Sequence, residues 1–219
     1  MKKINKGAEP VGLKRWKSAH PEGCYSDLSE VERQSIREAC AEEQFYLCAY
    51  CCQQISGQST DTKNEHVEAR RIAPHRSLDF NNIVASCTTP NQCDAAHGSR
   101  SLPLTPLMDE CETELRFKIS GRVEGLTERA EESIRVLNLG DTEKNNKKLI
   151  EKRKQLSSVL LLTNGVNPND GLEDDALIQI LIDDLGTPIN GKLESFSPVV
   201  VNILKDWLLS DYVNYEQDK

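Results

Sequence analysis

The chain has 219 residues, 37% hydrophobic and 28% charged, with a net charge of −8. That balance describes a folded, water-soluble chain with room for one substantial domain or two small ones. It excludes a membrane helix, because no apolar run approaches the ~20 residues required, and a secretory signal, because the N-terminal lysines have no apolar core behind them.

Without a secretory signal, the eight cysteines are expected to be reduced and cytoplasmic rather than paired in disulfides. The charge is unevenly spread. Residues 1–20 carry Lys2, Lys3, Lys6, Lys14, Arg15 and Lys17 against Glu9, and residues 44–101 balance five basic against five acidic groups. Residues 109–219 hold 14 basic and 22 acidic groups, so the acidity is largely C-terminal. Phosphate binding draws on local positive charge, so the overall sign does not exclude a nucleic-acid enzyme.

In chain order, residues 1–25 show no periodicity and predict an extended basic arm, whose Leu13-Lys14-Arg15-Trp16-Lys17 segment reads as a docking element or a solvated tail. Ser29 with Glu32 forms a capping box. Val31, Ile36, Ala39 and Cys40 then follow helical spacing, predicting a helix over 29–43. Residues 45–101 are broken by Gly57, Asn64, Pro74, Asn81, Pro90 and Gly98. A strand is expected around Val67, a turn or short helix at 82–86, and a helix opening near Cys93. Leu115 to Val123 reads as a hairpin around Gly121. Helices are predicted over 127–137, 142–162, 172–185 and 196–209, separated by glycines. The expected organisation is therefore an arm (1–25), a core with its preceding helix (26–108) and a helical C-terminal region (109–219).

The chemistry concentrates between residues 48 and 97. Structural zinc prefers four thiolate or imidazole ligands, often in two close pairs. Cys48 and Cys51 make such a pair, with Cys52 as the alternative to Cys51. Cys87 and Cys93 make a second pair, widened to five intervening residues. Cys24, Cys40 and Cys111 then read as ordinary small core residues, as does Cys52 if Cys51 is the ligand. Between the pairs, Glu65-His66 joins a carboxylate suited to a divalent cation to an imidazole suited to activating water. Asn82 is suited to fixing a loop. Asp94 and His97 fall three apart at a helix start and can each ligate metal.

This order resembles the HNH endonucleases with their ββα-metal core. The resemblance implies an α+β, mostly helical chain, with a zinc-stapled ββα core and a helical C-terminal region. It implies His66 as general base, Glu65 and Asp94 as ligands of a catalytic Mg²⁺ or Mn²⁺, with His97 as a possible further ligand, Asn82 holding the base loop, and Cys48, Cys51, Cys87 and Cys93 on structural zinc. The wide second pair, and Asp94 where Asn or His is commoner, depart from the pattern. Met1-Lys2-Lys3-Ile4, Gly7-Ala8-Glu9-Pro10, Leu47-Cys48-Ala49-Tyr50-Cys51, Leu78-Asp79-Phe80-Asn81-Asn82, Ser86-Cys87, Cys111-Glu112 and Leu137-Asn138-Leu139 are similar to the PtuB-type nucleases of the Septu anti-phage system, especially its retron-associated form. That implies a bacterial cytoplasmic effector hydrolysing nucleic acid, with a PtuA-like ABC/SMC-type ATPase as partner and, in retron systems, a reverse transcriptase with its DNA–RNA product. Two other readings fit the residues: a non-catalytic zinc-stapled module binding nucleic acid or protein, and a redox protein built on Cys48-x-x-Cys51.

Overall fold

The computed structural model describes residues 1–172 and 174–217. It is an α+β structure of seven α-helices and two small antiparallel sheets among the described residues.

The N-terminal arm departs from the expectation of an extended segment. Val11–Ala19 forms helix α1, and its Leu13 is completely buried. Met1 and Ile4 also enter the core. Most of the lysines are engaged: Lys3 Nζ donates to Leu107 O (2.5 Å), Lys6 Nζ donates to Ile83 O (2.7 Å) and pairs with Glu43, and Lys17 pairs with Glu9. Trp16 is half-buried and stacks on His20 at 4.4 Å. One apolar anchor and a single helical turn of pattern leave too little periodicity to reveal such a helix in advance.

Helix α2 (Glu30–Glu43) starts as its capping box dictates: Ser29 Oγ accepts from Val31 N and Glu32 returns to Ser29 N at 3.0 Å. It buries Ile36, Arg37, Cys40 and Ala41, whereas Val31 points outward, 76% exposed. Strand β1 (Thr62–His66) pairs with β2 (Ile83–Cys87) in the register Thr62↔Cys87 to His66↔Ile83. Of the 82–86 segment, Asn82 closes a short 3-10 turn (Phe80–Asn82), and 83–86 are strand and not the expected turn or short helix. All five β2 residues are buried, so it shows no alternation to read. Gln44 completes its other side like a further strand, donating to Ala85 O (2.8 Å) and accepting from Ala85 N (2.7 Å). The short helix α3 (Asp94–His97) follows, completing a β–β–α order.

The hairpin β3 (Leu115–Phe117) and β4 (Val123–Gly125) forms where the sequence predicts one. Gly121 at its turn has φ +81°, and a Cβ there would lie 2.1 Å from Ile150 O, so the turn is pressed against the following helical layer. Helices α4 (Glu128–Leu137), α5 (Glu143–Thr163), α6 (Asp175–Gly186) and α7 (Ser197–Gln217) follow the predicted segments, α7 running further than expected. Side chains from residues 1–28, from the β1–β2 region and from 102–149 share one core with Phe196, Val199 and Ile203, so the boundaries drawn at 25 and 108 do not separate cores. A second cluster joins Leu161, Ile178, Leu181, Leu185, Val200 and Leu204 within the C-terminal helices. No helix among the described residues is long and apolar enough to cross a membrane.

Candidate metal centre and the hairpin beside it

The cysteine cluster is built by two turns meeting at the end of β2. Cys48 N donates to Gln53 O (2.8 Å) and Cys52 N to Cys48 O (3.1 Å), which folds residues 48–53 into a tight knuckle. Cys87 terminates β2 beside it, and its N–H donates to Cys48 Sγ (3.3 Å). Cys93 opens α3 with φ +52° and is pinned by a hydrogen bond from its N–H to Leu137 O (2.9 Å). The Sγ atoms of Cys48, Cys51, Cys87 and Cys93 all lie within 4.8 Å of one another and are buried. Cys52 is buried but outside this group, with φ +63°. Burial raises the thiols of Cys51 and Cys93, while the neighbouring sulfurs hold Cys87 far down. Four buried thiolates cannot coexist without a cation to neutralise them, and an all-sulfur tetrad is a donor set compatible with structural zinc. All eight cysteines are free. Cys40 and Cys111 are buried as expected, burial pushing their thiols up to about 12 and about 11, whereas Cys24 is exposed.

The wide gap between Cys87 and Cys93 has a structural use. Gln92, in that loop, aims its amide at three sulfurs, with Nε2 at 3.8 Å from Cys51, 3.7 Å from Cys87 and 3.9 Å from Cys93. Its Oε1 accepts from Asn146 Nδ2 (3.3 Å), and the same Nδ2 donates to Asn138 O (2.9 Å). Asn146 interrupts α5 with φ −157° and ψ 79°, and its Oδ1 accepts from Leu149 N (3.1 Å), so the helix restarts there. Two turns further on, Arg153 is fully buried, donating to Gly121 O (2.8 Å) and Leu139 O (2.9 Å). Burial lowers its pKa to about 10, and the Cys51, Cys52 and Cys93 thiols act in the opposite direction. It has no carboxylate partner among the described residues; its guanidinium lies 5.0 Å from the Phe117 ring centroid, and the cysteine sulfurs supply the opposing charge.

On the hairpin, Glu65 Oε1 lies 2.5 Å from His97 Nδ1 and accepts from Tyr50 Oη (3.3 Å). Burial pushes the Glu65 carboxyl up to about 7; the His97 bond opposes this and the adjacent Asp94 carboxylate adds to it. The strand register and the first turn of α3 thus bring Glu65 and Asp94 together across 29 positions of sequence. Lys63, two residues before Glu65 on β1, pairs with Asp94 at 3.2 Å. His97 is fully buried, and its Nε2 lies 2.8 Å from Arg100 O. Both its nitrogens are engaged, so in this arrangement it orients Glu65 and offers no free lone pair to a metal. Among the described residues, Glu65, Asp94 and His97 do not form a third-ligand group as tight as the cysteines. A paired carboxylate site completed by water and phosphate oxygens is nevertheless the usual setting of Mg²⁺.

His66, the next residue on β1, is also buried, with Nε2 at 2.9 Å from Ser77 O. Since a carbonyl only accepts, Nε2 carries the proton and Nδ1 is left as the basic nitrogen. Burial lowers its pKa, with Asp94 acting the other way, so the ring is neutral near pH 7. Asn82 is 1% exposed and clamps the strand exit next to His66: Oδ1 accepts from Glu68 N (2.8 Å), Nδ2 donates to Glu68 O (2.9 Å), and its own carbonyl accepts from Val67 N (2.9 Å). Asn82→Ala leaves two backbone groups of Glu68 without partners; a loss of roughly 2–4 kcal/mol is expected, read as a lowered melting temperature. An unchanged melt would show that the clamp is dispensable.

No protein-family model and no curated protein matches this chain.

A carboxyl titrating near 7 must lose its proton to bind a cation. Mn²⁺ affinity is therefore expected to rise about tenfold per pH unit up to about 7 and to level off above it. Calorimetric titration at successive pH values measures this, and Glu65→Gln removes the slope. Equal wild-type affinity at the acidic and alkaline ends would refute the assignment.

Proposed function

We propose that the chain is a metal-dependent endonuclease of the HNH type, hydrolysing phosphodiester bonds in nucleic acid. The observation that carries this reading is the pairing of Glu65 and Asp94 next to a neutral His66 with a proton-free Nδ1, all on a β–β–α unit fastened by four buried cysteines.

The cysteines Cys48, Cys51, Cys87 and Cys93 hold zinc, which fixes the knuckle, the end of β2 and the start of α3. A structure this rich in turns gains little from its own apolar core, and the metal cross-link compensates. Glu65 and Asp94 would hold Mg²⁺ or Mn²⁺, and the ion's charge would supply stabilisation of the phosphoryl and leaving oxygens. His97 holds Glu65 in orientation from behind. His66 Nδ1 takes a proton from water as the water oxygen bonds to phosphorus, and the phosphorus–oxygen bond to the sugar breaks, the departing sugar oxygen taking a proton from a solvent water. The Ser77 carbonyl keeps the proton on Nε2, so Nδ1 faces the reaction as a base. Asn82 keeps the loop after His66 from shifting.

The similarity to PtuB-type nucleases extends the proposal to an effector of bacterial anti-phage defence, acting with an ABC/SMC-type ATPase and, in a retron setting, with a reverse transcriptase and its DNA–RNA product. The test is direct. The purified protein, with and without the product of its neighbouring gene, is incubated with labelled DNA and RNA panels and Mg²⁺ or Mn²⁺. Cleavage that depends on the divalent ion is expected. Intact substrates under every condition would leave the zinc-stapled binding module as the better account.

A further inference from the structure

Tyr25 and His66 meet in a T-shaped contact, the ring centroids 4.8 Å apart and the planes at 89°. Asn64 fixes it from β1, its Nδ2 donating to Tyr25 Oη (3.0 Å) and to Arg33 O (2.8 Å). Two guanidinium groups converge on the same ring. Arg33, from α2, lies 5.5 Å from its centroid, and Arg70, from the loop after β1, lies 4.9 Å away.

The charges around them are matched elsewhere. Arg37 pairs with Glu30, Arg76 with Glu68 and Asp79, and Lys63 with Asp94. Neither Arg33 nor Arg70 has a carboxylate within ion-pair distance among the described residues. Arg33 spends one nitrogen on Ser26 O (2.9 Å), and its Nε is buried with no acceptor. Arg70 is exposed. Two like charges held against one ring repel each other, and cation–π attraction offsets only about 0.5–1 kcal/mol for each. In a chain of net charge −8, such an uncompensated pair marks a place for an anion. Guanidinium forks match phosphate oxygens in geometry as well as in charge.

We propose that Arg33 and Arg70, held on the Tyr25 ring, form a phosphate-binding pair that seats the nucleic-acid backbone alongside His66. The pair would take the phosphate next to the one that His66 addresses, so it sets the position of the strand and leaves the base sequence unread. The position of the scissile bond rests on the nuclease reading; the phosphate binding does not.

Binding is measured by fluorescence anisotropy with a labelled DNA duplex, a DNA single strand and an RNA strand, over a series of salt concentrations and without added divalent ions. Arg70→Gln and Arg33→Gln are each expected to bind about tenfold more weakly at low salt. Each should also flatten the plot of log affinity against log salt by about one phosphate contact. Arg135→Gln, an exposed arginine on α4 paired with Glu132, serves as control and keeps the wild-type slope. Arg70 is on the surface, so its variant reports on binding even if Arg33→Gln perturbs the fold. Wild-type slope and affinity in Arg70→Gln overturn the proposal, as does a wild-type protein that binds none of the three probes at low salt. If the variants lose the contact but no preparation cleaves with Mg²⁺ or Mn²⁺, the phosphate pair stands and the nuclease reading falls. If the wild type cleaves and Arg70→Gln binds and cleaves equally well, the reverse holds.

Discussion

Cys48→Ser and Cys87→Ser are expected to give insoluble or unfolded protein. In each, a serine hydroxyl replaces one of four buried sulfurs within 4.8 Å of one another. The three remaining thiolates bind zinc far less tightly, and the folding free energy linked to a structural zinc site is of order 10 kcal/mol. The surrounding residues 45–101 contribute only two five-residue strands, the four-residue α3 and short turns of regular structure, and the cysteines themselves sit in the shared core. Cys87 loses more than a ligand, because it ends β2 at the point where its N–H also donates to Cys48 Sγ. Cys52→Ser and Cys111→Ser are the comparison. Both sulfurs are buried but outside the tetrad, so these variants should keep one zinc per chain and lose only about 1–3 kcal/mol from a buried hydroxyl. Soluble yield, elemental analysis and thermal melts separate the two groups. A folded, zinc-free Cys48→Ser protein would show that the cysteines do not staple the fold.

His66→Ala is expected to cut cleavage by roughly 10²–10⁴-fold, the usual contribution of a positioned general base. The variant should keep its zinc. Its stability should fall by no more than about 1–3 kcal/mol, for the ring's buried volume and the lost hydrogen bond to Ser77 O. Single-turnover cleavage at saturating Mn²⁺, beside a zinc assay and a melt of the same sample, tests catalysis apart from folding. Wild-type turnover in this variant would remove the proposed mechanism. The same substitution separates the enzyme from the non-catalytic binding module, since a scaffold would notice only the small change in stability.

Helix α2, the β3–β4 hairpin and α4 to α7 were legible because their apolar periodicity and caps act locally. The four cysteines were legible as well. What decided between Cys51 and Cys52 was not, because it depends on the direction each side chain takes as the knuckle turns through Cys52 at φ +63°. β2 was misread because a strand buried on both faces carries no alternation, and its partner Gln44 lies some forty residues away. Arg33, Tyr25 and Arg70 have no common spacing and meet only through α2, β1 and the loop after it. Gln92 left the one faint signal, an amide immediately before a metal-type cysteine. His97 resembled a ligand in sequence because spacing reports reach; the hydrogen bonds to Glu65 and Arg100 that occupy its nitrogens arise from tertiary structure.

The break in α5 at Asn146 has a bearing on how the protein matures. The last of the four cysteines, Cys93, leaves the ribosome about fifty residues before Asn146, and Arg153 follows later still. The four sulfurs therefore emerge while Gln92 still lacks the amide that holds it and the cluster lacks its buried positive neighbour. The cysteine tetrad reaches its final surroundings only when α5 folds back over it. If the tetrad takes up zinc as proposed, synthesis order would separate loading of the metal from completion of the site, and a chain arrested before α5 would carry the ion in an unfinished, exchangeable setting.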